Sequence, residues 1–143
     1  MFTPVPEIAR KVEGELERLK LVPGGFSFAH VRASYGIEGQ ARDPALVKNW
    51  TQNSLNCASN LQPGGPYFFA SDSMYAKQVA IEYGQENNVP VVTRLDDKDA
   101  LYLDLDGEIR DPSEYFPIFV DLYLMSMAKI TLTTWADTLN SRI

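Results

Sequence analysis

The chain has very little of two residues on which many active sites depend. Its 143 residues include one cysteine, Cys57, and one histidine, His30. A single cysteine excludes an intrachain disulfide, and one histidine with one cysteine cannot build a zinc site alone. A Ser-His-Asp triad would have to use His30, and the GxSxG sequence of many hydrolases is absent.

Phosphate-binding loops of the common kinds are absent as well. The sequence contains neither a Walker A motif nor GxGxxG. Its two glycine-rich stretches, 23–25 and 63–66, precede predicted strands, whereas a phosphate loop would follow a strand. We therefore interpret both stretches as turns.

Long apolar runs and an excess of basic residues are missing too. No apolar run reaches the length of about 18 residues that a transmembrane helix needs, so none is predicted. The first residues lack the basic and apolar regions of a secretory signal, which leaves the location of the protein unknown. Thirteen basic residues against nineteen acidic ones give a net charge of −6, which argues against general nucleic-acid binding but allows a local basic pocket.

Helix-like and strand-like patterns alternate along the chain. Strands are predicted at 26–32, 66–71, 89–93 and 129–134, with a half-exposed strand or an extended loop at 101–105. Helices are predicted to begin near Pro6, Asp43, Ser71, Asp111 and Trp135. This alternation is typical of an α/β fold: a Rossmann-like, mostly parallel sheet of about five strands with helices on both faces. The length predicts one domain over residues 1–143.

Two helices allow a prediction of what they bury. In the second helix, one face carries Leu46, Trp50, Cys57 and Leu61, which predicts that Cys57 is a small core residue. The late helix is apolar almost all round apart from Asp121, which predicts that it is buried. A buried carboxylate needs a partner. Asp121 either faces solvent, pairs with Lys129, or contacts a ligand such as the imino and amino groups of guanine.

Polar residues follow three of the predicted strands. His30 and Arg32 end the first strand, Ser71 and Asp72 end the second, and residues 133–134 end the last. Parallel sheets bind ligands at the carboxyl ends of their strands, so these side chains are candidates for one site.

These residue types suit an anionic ligand. The planar guanidinium of Arg32 matches phosphate. Thr133 and Thr134 offer hydroxyls and precede a predicted helix, whose amino end would attract anions. Together these groups predict a diphosphate cradle that needs no metal.

Each of these residues also has a purely structural interpretation. Arg32 could pair with a carboxylate at the rim of the sheet, and His30 could be a core histidine bonded to backbone. Asp72 could cap the next helix, and Thr133 and Thr134 could be ordinary strand-forming residues.

Taken together, the motifs resemble the carboxyl-terminal, donor-binding half of GT-B fucosyltransferases. Within these enzymes, the motifs resemble especially the protein O-fucosyltransferase and α1,6-fucosyltransferase group. The resemblance extends from the first helix to the end of the chain. It is carried by four short motifs: HVR at 30–32, ASDS at 70–73, DLYLMS at 121–126 and TTW at 133–135.

The resemblance implies a role for each matching residue. Arg32 would contact the β-phosphate of GDP-fucose and assist its departure, which makes Arg32 the expected catalytic residue. Asp121 would hold guanine. The full set of expected donor-binding residues is His30, Arg32, Asp72, Asp121, Thr133, Thr134 and Trp135. The resemblance implies a GDP-sugar donor and neither a metal nor another cofactor.

The resemblance also implies a partner. A GT-B enzyme has a second half that supplies much of the acceptor site, so a second domain or chain would complete the cleft. The location would then be the secretory pathway or the Golgi. Ala33-Ser34 departs from the family, which usually has a second arginine or Gly-Asp here. The alternatives are a nucleotide-binding module without turnover and an interaction module on a flavodoxin-like scaffold.

Overall fold

The computed structural model describes residues 4–33, 43–95 and 111–134. Its α-helices are α1 (Pro6–Arg18), α2 (Pro44–Leu61), α3 (Met74–Asn87) and α4 (Phe116–Met127). Its strands are β1 (Ser27–Val31), β2 (Tyr67–Ser71), β3 (Val91–Thr93) and β4 (Ile130–Thr134). A short 3-10 helix, Pro112–Tyr115, leads into α4. The predicted stretch at 101–105 and the helix from Trp135 lie outside the described residues.

The strands form one parallel sheet in the order β3-β2-β1-β4. This confirms the predicted α/β, Rossmann-like architecture, with four strands in the described part where about five were predicted. From β1 the chain moves outward to β2 and β3, and then returns across the sheet to place β4 on the other side of β1. The sheet therefore has a topological switch point between β1 and β4, which is where open parallel sheets bind ligands.

The two faces of the sheet have separate cores. Because successive strand residues point to opposite faces, one set of side chains packs under α2 and α3 and the other under α1 and α4. The first core contains Ala29, Val31, Val47, Leu55, Ala58, Tyr67, Phe69, Ala76 and Ala80. The second contains Ile8, Val12, Phe28, Phe68, Ala70, Val120 and Leu124. Helices on both faces cover both apolar sides of the strands.

The two Pro-Gly-Gly stretches are turns, as predicted. Each precedes a strand, and Gly24 and Gly64 adopt φ values of 74° and 75°. This left-handed conformation is accessible to glycine at little cost. Both turns therefore lie at the amino edge of the sheet, away from the strand ends that carry the candidate site.

The buried face of α2 differs from the predicted one. The helix buries Val47, Thr51, Ser54, Leu55 and Ala58. Leu46 and Leu61 are exposed, and so is Cys57, so the prediction of a core cysteine was wrong. Of the predicted face, Trp50 is half-buried and packs against the first core.

Helix α4 is also less buried than its composition predicted. Val120 and Leu124 are buried in the second core, whereas Phe119 and Leu122 are 38% and 47% exposed. A helix on the outer layer of a two-sided sheet presents only one face to the core, whatever its composition. No helix in the described ranges combines the length and apolar character needed to cross a bilayer.

Candidate functional site

The exit of β1 carries the histidine and the arginine of the HVR motif. His30 lies within the strand, where its Cα partners are Ala70 of β2 and Thr133 of β4. It has the same parity as Phe28 and therefore lies on the face covered by α1 and α4. Arg32 follows the last strand residue, and both side chains are half-buried. His30 is thus fixed by the sheet, and Arg32 emerges at its carboxyl edge.

The exit of β4 runs beside that of β1. Thr133 is the register partner of His30, and Thr134 is the partner of Val31. Partners in a parallel pair share a face and lie about 5 Å apart. Thr133 is exposed, so its hydroxyl is available next to the histidine. Trp135, the last member of the predicted set, lies outside the described residues.

At the carboxyl end of β2, side chains form hydrogen bonds with the backbone at the carboxyl end of β1. The Ser71 hydroxyl donates to the Val31 carbonyl at 2.6 Å, and the Asp72 carboxylate accepts from the Ala33 amide at 2.6 Å. Ser71 also accepts from the Ser73 amide at 3.2 Å. The cap of α3 is Ser73, whose hydroxyl accepts from Ala76 N. Asp72 therefore does not cap the helix; it holds the neighbouring strand exit.

Asp72 and Arg32 both lie close enough to His30 to act on its protonation. Burial lowers the pKa of His30 below its ordinary value of 6.5, and the nearby positive charge of Arg32 lowers it further. The Asp72 carboxylate acts in the opposite direction and raises the pKa. The net lowering keeps the imidazole neutral at pH 7. Arg32 therefore supplies a fixed positive charge beside His30 at this edge.

Asp121 belongs to a different cluster. Its Oδ1 lies 3.0 Å from Nη1 of Arg94, and the same nitrogen donates to the Pro117 carbonyl at 3.1 Å. Nε of Arg94 lies 3.7 Å from a carboxylate oxygen of Glu15 on α1. Arg94 follows β3, which is separated from β1 by β2. Asp121 is thus paired at the exit of β3, two strands away from β1.

Arg94 was missed in the sequence, although two signals point to it. A lone carboxylate on an apolar helix requires a partner, and Arg94 directly follows the predicted strand 89–93. The two residues are 27 positions apart, and only the tertiary fold brings them together. The predicted alternative, Lys129, lies beyond the other end of α4.

The structure therefore brings together most of the predicted set. His30, Arg32, Asp72, Thr133 and Thr134 lie at or directly after the carboxyl ends of three adjacent strands. Asp121 lies in the separate ion-pair cluster. Within the described ranges, no group of three or more His, Cys, Asp or Glu residues is arranged to hold a metal ion.

The chain was compared with protein-family models, curated proteins and solved structures. No family model matches the chain, and neither a curated protein nor a solved structure matches it. The likeness to fucosyltransferases thus depends on the four short motifs alone.

Proposed function

We propose that the edge formed by β1, β2 and β4 binds the diphosphate of a nucleotide, with a GDP-sugar of the GDP-fucose type as the donor. The observation that carries this proposal is the position of Arg32 and Thr133 on opposite sides of the switch point between β1 and β4. A planar cation and an exposed hydroxyl, with a neutral imidazole beside them, suit the oxygens of a diphosphate.

In a glycosyl transfer, this arrangement would serve the leaving group. The bond between the anomeric carbon and the diphosphate oxygen breaks while an acceptor hydroxyl attacks from the opposite face of the sugar. The bonding electrons pass to the diphosphate, whose added charge Arg32 would stabilise. The acceptor proton goes to a base or to water, and we expect a second domain or chain to complete the acceptor side of the cleft.

A second candidate follows from the ion pair of Asp121. Because Arg94 binds Asp121 Oδ1 at 3.0 Å, a contact of the guanine imino and amino groups with both carboxylate oxygens would compete with the ion pair. This observation favours a module that binds nucleotide diphosphates without selecting the base. The two candidates differ in whether GDP binds more tightly than other nucleoside diphosphates.

Isothermal titration calorimetry tests the proposal directly. GDP-fucose, GDP, ADP, UDP and inorganic diphosphate would be titrated into the wild-type chain and into Arg32→Gln. Loss of a charge-assisted bond to phosphate is expected to weaken binding about 10- to 100-fold. Arg10→Gln is the matched control, because it removes the same charge from an exposed position on α1, and it should bind like wild type.

The outcomes separate the possibilities. Selective binding of GDP supports the GDP-sugar candidate, and equal binding of GDP, ADP and UDP supports the module without base selection. Absence of heat with all ligands at millimolar concentration, in a chain whose circular dichroism shows an intact fold, would refute both.

A further inference from the structure

The peptide groups on both sides of Arg32 are held by side chains of β2. The carbonyl before Arg32, that of Val31, accepts from the Ser71 hydroxyl at 2.6 Å. The amide after it, that of Ala33, donates to Asp72 Oδ1 at 2.6 Å. The sheet ladder would normally hold these groups, but β2 ends at Ser71. Side-chain bonds thus continue the pairing of β1 and β2 one step past the end of the ladder.

This arrangement fixes the backbone of Arg32. The peptides before and after a residue determine its φ and ψ, so holding both sets the direction in which the side chain leaves the backbone. A hydrogen bond to a carboxylate is stronger than one between neutral groups. The Ser71 hydroxyl is itself oriented by the Ser73 amide at 3.2 Å, which connects the pair to the amino end of α3.

These hydrogen bonds give Asp72 a role other than direct contact with the sugar-nucleotide donor. The amide of Ala33, which donates to Oδ1, belongs to a residue that is 2% exposed, so this bond is partly buried. The Asp72 charge also acts on His30, which places it beside the candidate anion site. A negative charge there would repel a diphosphate, so a direct phosphate contact by Asp72 is unfavourable.

We propose that Ser71 and Asp72 are positioning residues, which hold the peptide groups flanking Arg32 and so aim its guanidinium at the diphosphate. This inference rests on the proposed function, because it takes the anion at Arg32 as its premise. It replaces the expected donor contact of Asp72 with an action through the backbone. Ser71 gains a role that the resemblance did not give it.

Substitutions at Asp72 separate the hydrogen bond from the charge. Asp72→Asn keeps an oxygen that can accept from Ala33 N and removes the charge, whereas Asp72→Ala removes both. Inorganic diphosphate and GDP would be titrated at pH 8, where His30 is neutral. We expect about tenfold weaker binding of both ligands to Asp72→Ala, whereas Asp72→Asn, which keeps the bond and removes a repelling charge, should bind them at least as tightly as wild type. Ser71→Ala should fall between them.

A double-mutant cycle distinguishes positioning from a general structural effect. In an Arg32→Gln background, Asp72→Ala should cause no further loss of diphosphate affinity, because the side chain that it positions is gone. Asp111→Ala is the matched control. Its carboxylate accepts one backbone amide at 2.9 Å, that of Ser113, in an exposed position, so we expect diphosphate affinity to stay unchanged.

Three results would overturn the inference. Asp72→Ala could weaken GDP but leave inorganic diphosphate unaffected, which would indicate contact with the nucleoside. Its effect could persist in the Arg32→Gln background, or Asp72→Asn could lose as much affinity as Asp72→Ala.

A measurement without ligand keeps this test separate from the proposed function. Amide hydrogen exchange followed by NMR should show Ala33 protected in wild type and Asp72→Asn, and exposed to exchange in Asp72→Ala. If Ala33 stays protected in Asp72→Ala, the positioning bond is refuted whether or not a nucleotide binds. If Ala33 behaves as expected but no diphosphate binds to wild type, the proposed function fails and the role in anion binding fails with it.

Discussion

Because α3 approaches β3 closely, we predict that replacing Gly84 by alanine destabilises the protein. Gly84 is buried in the last turns of α3. A Cβ added there would lie 2.8 Å from the Val89 carbonyl oxygen and 3.0 Å from Cβ of Val91. The Val89 amide also bonds the Gly84 carbonyl at 2.8 Å. The obstructing atoms belong to backbone and to a branched side chain at its root, so neither can rotate away.

The expected change in the free energy of unfolding is the difference between two effects. Alanine is favoured over glycine inside a helix by about 1 kcal/mol. Inserting a carbon into a packed core costs about 1–3 kcal/mol, and a backbone obstacle places Gly84→Ala near the upper value. The net destabilisation is then about 2 kcal/mol. Gly14→Ala is the matched control, because nothing lies within 4 Å of a Cβ at this position in α1.

Urea denaturation of the two variants measures these effects. Gly14→Ala should raise the free energy of unfolding by about 0.5–1 kcal/mol, whereas Gly84→Ala should lower it. In thermal unfolding, Gly84→Ala should lower the Tm by about 4–8 °C for a chain of this size. The packing of α3 on β3 would be contradicted if both substitutions stabilised the protein by similar amounts.

The remaining predictions concern charge and exposure. Because burial lowers the pKa of His30 below 6.5, the unfolded chain binds its proton more tightly, so stability falls as the pH drops below about 6.5. His30→Gln should flatten urea-derived stability between pH 7 and 5.5, and an unchanged slope would contradict the burial of the imidazole. Arg94→Met removes the partner of Asp121 at 3.0 Å, and with that carboxylate side chain 26% exposed we expect a loss of about 2 kcal/mol in urea denaturation. A loss below about 0.5 kcal/mol would show that the ion pair is screened like a surface pair. Exposed Cys57 should react with a thiol reagent in the folded protein at a rate close to that in urea, whereas a core cysteine would react only on unfolding.

Part of the candidate site could be predicted because it depends on local pattern. The apolar stretch before His30 marks a buried strand, and a polar pair after a strand marks its carboxyl end. The positions of Arg32 and Asp72 at one edge of the sheet follow from these rules. What Asp72 bonds to did not follow, because its partner, Ala33, is 39 positions away.

Helix faces show where composition misleads. The face of α2 that was predicted to be buried carries its larger apolar residues, but the structure buries the face with Thr51, Ser54 and Ala58. The same buried face includes Leu55, and Trp50 of the predicted face also packs against the core, so apolar size alone does not identify the buried side. In α4, the apolar composition does not reveal that Phe119 and Leu122 lie on the outer side.

By itself, the sequence determined the alternation of helices and strands, the Pro-Gly-Gly turns and the polar ends of the strands, because periodicity and backbone preferences act over a few residues. Only the tertiary structure decided that β4 lies beside β1, that Thr133 is therefore the neighbour of His30, and that Arg94 pairs with Asp121. Strand order and ion-pair partners depend on which apolar surfaces pack together across the whole chain, and no short stretch of residues contains that information.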